Sequence, residues 1–430
     1  MAWWERKNLQ YIERKLHLQG FDCEEVAKKF GTPLYLYDCN RFLDNASRLY
    51  DALCRYSDRN VRIQFMCKAN PSLALLSLWG NWGYKYVVVS SPFEAQLALK
   101  AGIKPEYLTF YAGLGTSDDV FKEMKRLKIS IVIDSFSQIE RMSVLGIEEI
   151  SVRWNPGLGM GNVPAAGKEA DGEPMQFGIP EDRILEAFQL AKDKGIKIKG
   201  LTQHVGSQII KKEEIAKYFS SIDKLIQLAT ELENLGHHLE YICLGGGLSV
   251  PYTKDDPTFP IEELGKQISE KVKSSEIEIK AVAIEPGRYL TADMGILIAK
   301  VNLVEEKNGN IFIGVDAGVN NMPRRILHPK YQTPHEIIPC FKRDKNVRAT
   351  TCGTLLFTAD NFGTQQIPEV KVGDYLAFIN MGAYTASLKF HFGWPFAKEI
   401  MAFDGNLYEI CTEETFEDYS KKQMLPKLVS

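Results

Sequence analysis

The amino-acid sequence predicts an α/β plus β protein: a parallel (β/α)8 barrel of the TIM type with a separate C-terminal antiparallel β domain. Three observations predict it. Eight apolar, strand-like runs alternate with helical stretches through most of the chain. Residue types that carry chemistry fall at the C-terminal ends of those runs, the face on which barrel active sites form. From about residue 296 the texture changes to short alternating strands without helices between them. The expected division is 34–295 for the barrel and 1–33 with 296–430 for the β domain.

Bulk properties limit the partners. The 430 residues are 45% apolar and 25% charged with a formal net charge of -3, and the pI is near 6.2, so no basic face for nucleic acid is expected. Eight scattered cysteines form no C-x-x-C pair and no histidine cluster stands at metal-ligand spacing, which predicts reduced thiols and no metal. The N-terminus MAWWERKNLQYIERK has no apolar leader, and no later run approaches the ~20 apolar residues of a membrane span. The expectation is a soluble, cytoplasmic protein with neither a nucleic-acid nor a membrane partner.

In chain order, Gly31 and Pro33 punctuate the entry to a short aromatic strand in GTPLYLYD. The barrel strands follow as RIQFMCKAN, KYVVVSS, LTFYAG, SIVIDS, ISVRWNPG, IKGLTQHVG, LEYICLGGG and KAVAIEPGR. Between them, Ile215, Phe219, Ile222, Ile226, Ala229 and Leu232 recur at helical spacing, and Gly236 closes that helix. Ile184, Phe188 and Ala191 before Gly195 mark another. The glycine- and alanine-rich stretch from Gly157 to Gly178 is long enough to serve as a lid. Past residue 296, ILIAKVNLVEEKNGNIFIGVD carries an Asn308-Gly309 hairpin turn, and VRATTCGTLLF, DYLAFINMGAY and AKEIMAFDGNLYEIC continue the β domain.

The first barrel strand stops at Lys68. An amine that closes a buried strand is pushed toward its neutral, nucleophilic form, as a Schiff base with an aldehyde cofactor requires; the plain alternative is a lysine reaching water. Ser90, Ser91 and Asn155 stand at other strand ends. Gly245, Gly246 and Gly247 follow a strand directly, so their N–H groups can close on a phosphate, or simply turn the chain. Glu285 ends the last strand before Pro286, Gly287 and Arg288. A carboxylate there can pair with a cationic ring nitrogen while Arg288 faces an anion, or the two can pair with each other. His204 can stack on an aromatic cofactor and Ser207 can bond phosphate, although a lone histidine is more often a core residue. The β domain supplies Arg324, Tyr384 and His391.

Taken in order, FGTPLYLYD, FMCKAN, HVGSQ, GGGLSVPY, EPGR, DAGVNN and GAY resemble the fold-type III pyridoxal-phosphate decarboxylases, the diaminopimelate and ornithine decarboxylase group. The resemblance implies pyridoxal 5'-phosphate as cofactor, with Lys68 joined to its aldehyde carbon and His204 stacked on its ring. It places Ser207, the Gly245 to Gly247 backbone, Gly287, Arg288 and Tyr384 on the phosphate and Glu285 at the pyridine nitrogen. It also implies a homodimer whose sites each combine the barrel of one subunit with the β domain of the other. Arg288 and Arg324 match positions that grip the distal carboxylate of diaminopimelate, and His328 and Asp360 fall in the same substrate region.

The chain departs from that group at Leu356, Phe357, Thr358, Ala359 and Asp360. Diaminopimelate decarboxylases carry a cysteine, glutamate, serine, glycine, aspartate run there, so only the aspartate remains and the cysteine expected to protonate Cα is absent. This looks like an atypical branch. A tyrosine expected after Arg324 is replaced by His328 or displaced to Tyr331. The ending KFHFGWP and the loop before QFG look more like biosynthetic decarboxylases acting on unusual glutamyl substrates, carrier-bound ones included. The expected activity is decarboxylation of an amino acid or amino-acid conjugate bearing a second carboxylate or polar group, in a specialised pathway. Lys68 or water is expected to protonate Cα ahead of His391 or Cys352. One rival is a racemase or epimerase on the same cofactor, against which Glu285 argues because it keeps the ring nitrogen protonated. Another is a catalytically silent homologue acting as a regulator, against which the retained Lys68, His204, glycines, Glu285 and Tyr384 argue.

Overall fold

In the computed structural model, which describes residues 2–166, 175–275, 277–327 and 335–426, the chain forms two units. All eight runs expected in the barrel are strands. Starting at Asn60–Ile63 the ring passes through Ala281–Ile284, Tyr241–Cys243, Lys197–Gln203, Glu149–Asn155, Ser130–Ile133, Leu108–Tyr111 and Val87–Val89 to Phe65–Met66, each paired in parallel with the next. Gln64 divides the first strand and thereby closes the ring. Its N–H donates to the Ile284 carbonyl at 2.8 Å, and the N–H of Phe65 donates to Tyr86 at 3.0 Å. Consecutive residues thus reach the last strand and the second one.

Side chains plug the N-terminal half of the barrel. Ser151 and Tyr241 meet hydroxyl to hydroxyl at 2.8 Å across the strand that separates theirs. Gly200 makes room for that tyrosine, since a Cβ there would sit 2.3 Å from its ring. The Arg62 guanidinium lies over the Tyr86 and Tyr241 rings. A filled lower half leaves chemistry to the C-terminal rim.

Local sequence explains the turns onto the outer helices. Ser91, Ser117 and Ser135 each accept a backbone N–H at the start of Pro92–Lys100, Asp118–Arg126 and Phe136–Val144. Helix Lys212–Asn234 buries Ile222, Ile226, Ala229 and Leu232 as the spacing predicts, but Tyr218 is buried where Phe219 is only partly covered. Gly236 takes a left-handed φ of 81°, just beyond its end. The start of the expected lid is anchored: Met160–Gly161 and Val163–Pro164 flank Gly206–Ser207 in a small sheet. Residues 167–174 lie outside the described ones.

The second unit comprises Met1–Arg41, Tyr252–Lys254 and Ala292–Ser430. Its nine-stranded sheet is mostly antiparallel, with two parallel pairs. Leu34–Asp38, which falls inside the range 34–295, lies here, antiparallel to Gly295–Lys307 and parallel to Lys398–Phe403. All five of its residues are buried, and pairing on both sides satisfies a backbone that the closed barrel ring has no place for. The barrel unit comprises Phe42–Pro251 and Asp255–Thr291. Asn308 and Gly309, at φ 51° and 74°, form the expected two-residue turn into Asn310–Val315. Leu34, Leu36, Ile296, Ile298, Ile379 and Ile400 share one core. Among the described residues no helix is long and apolar enough to cross a membrane, and all eight cysteines are free.

The strand that closes the ring is held by Phe65, fully buried against Phe42 at 5.3 Å and Trp79 at 5.6 Å. Phe65→Ala should lower the unfolding free energy by about 3–5 kcal/mol in urea titrations, and a loss below about 1 kcal/mol would show that this packing does not secure the closure.

Candidate active site

Ring closure makes the first and last strands neighbours, pairing Ile63 with Ile284, and the N–H of Met66 donates to Pro286 at 3.3 Å. Lys68, in the short turn Cys67–Ala69, and Glu285 therefore reach the same rim. The Lys68 side chain is accessible to water there, yet protein crowds it from the barrel side. Desolvation lowers its pKa from the ordinary lysine value and the Arg153 cation lowers it further, while Glu285 and Glu94 oppose them.

Glu285 is buried and accepts the Tyr111 hydroxyl at 2.5 Å. Burial raises its pKa, against the pull of Tyr111, Cys243, Arg153 and Lys68. His204 ends the strand Lys197–Gln203, and its Nδ1 accepts the Gly246 N–H at 3.3 Å, which puts the proton of the neutral ring on Nε2. Burial and the Arg153 and Lys68 cations hold its pKa well below the ordinary histidine value.

The three glycines do more than turn the chain. A Cβ at Gly245 would meet the Gln203 carbonyl at 2.2 Å, at Gly246 the Glu285 carbonyl at 2.5 Å, and at Gly247 the Ile209 side chain at 2.6 Å. Glycine is thus demanded first by the packing of this loop onto neighbouring strand ends. Beside it the buried Arg288 donates to the Ser207 hydroxyl at 3.2 Å. Gly287 anchors the short helix Arg288–Thr291 by accepting the Leu290 and Thr291 N–H groups. An amine, a buried carboxylate, a neutral imidazole and an arginine–serine pair beside a glycine loop form a donor set that fits pyridoxal phosphate.

Other expected positions do local work. Ser91 caps its helix and Ser90 bonds the Glu94 carboxylate. Asn155 fastens the following loop through Gly157 and Phe177. Arg324, Asp360, Tyr384, Cys352 and His391 all belong to the β unit. Arg324 donates to the Tyr252 hydroxyl at 2.9 Å and to His335 Nε2 at 3.1 Å. Both Asp360 oxygens accept backbone N–H groups, from Val319 and Leu355, each at 2.6 Å. His391 bonds Glu414 at 2.8 Å and stacks on Phe396. Tyr384 is half-buried at a left-handed φ of 55°. His328 and Tyr331 lie outside the described residues.

Three residues of the rim were not singled out from sequence: Tyr111, Cys243 and Arg153. Arg153 donates to the carbonyls of Ala165 and His204 and faces the Phe177 ring at 4.6 Å. A charge within the otherwise apolar run ISVRWNPG was its available signal.

Residues 43–292 match the family described as pyridoxal-dependent decarboxylase, pyridoxal binding domain. The diaminopimelate decarboxylase of Methanothermobacter thermautotrophicus is 31% identical over 422 residues, covering 96% of both chains. That of Aquifex aeolicus is 30% identical over 424 residues, covering 95% of this chain and 96% of its own. Among solved structures, diaminopimelate decarboxylase from Helicobacter pylori complexed with L-lysine superposes with a TM-score of 0.83 at 26% identity, over 93% of this chain and 98% of that one. The enzyme from M. jannaschii gives 0.86 at 24% identity over 97% and 98%, which shows the fold alone.

In the cofactor-free protein, nitrogen-detected NMR should find His204 neutral and protonated on Nε2 at pH about 6.5, where an unperturbed histidine is half charged. A charged ring at that pH would contradict the electrostatics described here.

Proposed function

The chain belongs to the pyridoxal-dependent decarboxylase family, a carboxy-lyase that works with pyridoxal phosphate, and on that premise we propose that it removes the α-carboxylate of an amino acid bearing a second anionic or polar group. The carrying observation is the Lys68 amine on the same rim as the buried Glu285. When bound, the cofactor supplies an electrophilic carbon for the amine and a ring that takes up the electron pair freed at Cα. Lys68, short of solvation, is pushed toward its neutral, nucleophilic form. Glu285 would keep a proton on the ring nitrogen, and the His204 ring would cover the ring face. Ser207, the Gly245 to Gly247 loop, Gly287 and Arg288 would hold the phosphate, and the family resemblance adds Tyr384. The bond between Cα and the carboxylate breaks, carbon dioxide leaves, and a proton from Lys68 or water replaces it on Cα.

Substrate choice is read from the β unit. Arg324, gripped by Tyr252 and His335, is an oriented cation suited to a distal carboxylate, and the diaminopimelate decarboxylase relatives favour such a substrate. Asp360 spends both oxygens on backbone amides, which supports a role in shaping the loop that carries Leu356 over direct substrate contact. Leu356 cannot donate a proton, and with the KFHFGWP ending this supports an atypical branch whose substrate is a glutamyl-type conjugate, free or carrier-bound, in a specialised pathway. His391 is engaged by Glu414 and Phe396, and burial beside Asp360 raises the Cys352 thiol pKa; Lys68 and water stay ahead of both as proton sources.

Incubation of the cofactor-loaded protein in deuterated water with diaminopimelate, lysine, ornithine, arginine, glutamate and glutamyl conjugates should release carbon dioxide from a member with a distal acidic group. Mass spectrometry should then find one deuterium at the former Cα, and Lys68→Ala should abolish both turnover and the bound-cofactor absorbance. Deuterium uptake with the carboxylate retained would replace decarboxylation by racemisation.

The assembly proposed is a homodimer. Supporting it, the β unit exposes Leu356 completely, and Phe357 and Phe392 meet at 5.2 Å beside a half-exposed Trp394. Sedimentation should show a dimer that Phe392→Asp weakens at least tenfold; a monomeric parent protein would end this reading.

A further inference from the structure

Glu285 receives a hydrogen bond that its own neighbourhood in the sheet does not supply. Tyr111 is the last residue of Leu108–Tyr111, and in ring order that strand is separated from Ala281–Ile284 by four strands on one side and by Val87–Val89 and the divided first strand on the other. Its hydroxyl spans the barrel interior to reach Glu285 Oε1 at 2.5 Å. The other groups that act on Glu285 are Cys243, Arg153 and Lys68, each from a different strand or strand end, with Tyr218 and Tyr241 farther off. Among these, the Cys243 thiol also bonds the carboxylate, as a weaker donor, and Tyr111 contributes the short O–H bond. Burial and the facing Glu285 raise the phenol pKa well above its ordinary value, so the hydroxyl keeps its proton and stays a donor.

A phenol bonds a carboxylate roughly twice as strongly as it bonds a neutral acid. It therefore opposes the burial that would otherwise leave Glu285 protonated. We propose that Tyr111 is a positioning residue that keeps Glu285 ionised and able to accept the N–H of the cofactor's ring nitrogen. Without the phenol, Glu285 would hold the shared proton more tightly, and the cofactor's ring would be a weaker acceptor of the electron pair from Cα. This role rests on the cofactor reading above and assigns to a residue outside the recognised motifs the control of where that proton sits.

Two readouts of Tyr111→Phe separate the parts. In the cofactor-free protein, infrared titration of the Glu285 carboxyl band, assigned with Glu285→Gln, should show the protonated band persisting to a pH about one unit higher, a tenfold change in acidity. In protein loaded with ring-¹⁵N-labelled pyridoxal phosphate, the ring-nitrogen resonance should move toward that of neutral pyridine. If Tyr111→Phe does not accumulate, 3-fluorotyrosine at position 111, a stronger donor of the same shape, should shift both readouts the opposite way. An unchanged infrared titration overturns the proposal. So does a shifted titration with an unmoved ring nitrogen, because the bond then does not reach the cofactor. Failure of the parent protein to bind the labelled cofactor overturns the underlying functional reading and the ring-nitrogen role with it, while the infrared result still reports on Tyr111 and Glu285.

Discussion

The site depends on the way the barrel ring closes. Because Gln64 and Phe65 reach opposite neighbours, one chain segment serves as both the first strand and the seam. The seam sets the Lys68 turn beside the segment that carries Glu285, with Ile63 opposite Ile284 and Met66 bonded to Pro286. An open sheet of the same eight strands would leave these two at opposite edges. Closure is therefore what turns a lysine some 200 positions before the glutamate into its electrostatic neighbour.

Once the rim is assembled, its charges constrain one another. Arg153 is a buried cation whose partners are carbonyls and an aromatic face, a setting that stabilises the guanidinium without neutralising it. Its field acts on everything nearby. It disfavours a second cation on His204 and a third on Lys68, and it favours an anion on Glu285. A neutral imidazole and an amine pushed toward neutrality thus follow from one arginine together with burial. The Gly246 N–H reinforces the outcome, because it needs Nδ1 as an acceptor.

The sequence made the barrel legible because parallel strands covered on both faces must be apolar throughout, and eight such runs stand out against charged helices. The strand ends were equally legible, since polar residues begin where the apolar runs stop. What could not be read were relations across the interior. Tyr111 closes LTFYAG without any local oddity, and only the closed ring shows it facing Glu285. Leu34–Asp38 has the apolar character of a barrel strand, and its true partners, Gly295–Lys307 and Lys398–Phe403, lie some 260 and 360 residues away. For the glycine loop the sequence offers an anion cradle or a plain turn, and the structure adds a separate demand: carbonyls of adjacent strand ends and the Ile209 side chain exclude a Cβ whether or not an anion binds.

In the β unit, the setting of Arg324 explains why a lysine could not replace it. An arginine N–H can only donate, so His335 Nε2 must accept, and the ring's own proton lies on Nδ1, from which it donates to the Ile379 carbonyl at 2.7 Å. His335 is thereby fixed in its neutral form, and the positive charge of the cluster stays on the guanidinium. The second fork of Arg324 bonds Tyr252, whose ring the guanidinium also faces at 4.9 Å. A flexible ammonium could make one of these contacts in many rotamers, whereas the planar fork makes both in one. The arginine is consequently oriented before any ligand arrives, and the distal carboxylate proposed for the substrate would meet a cation already set by the strand that bears Ile379.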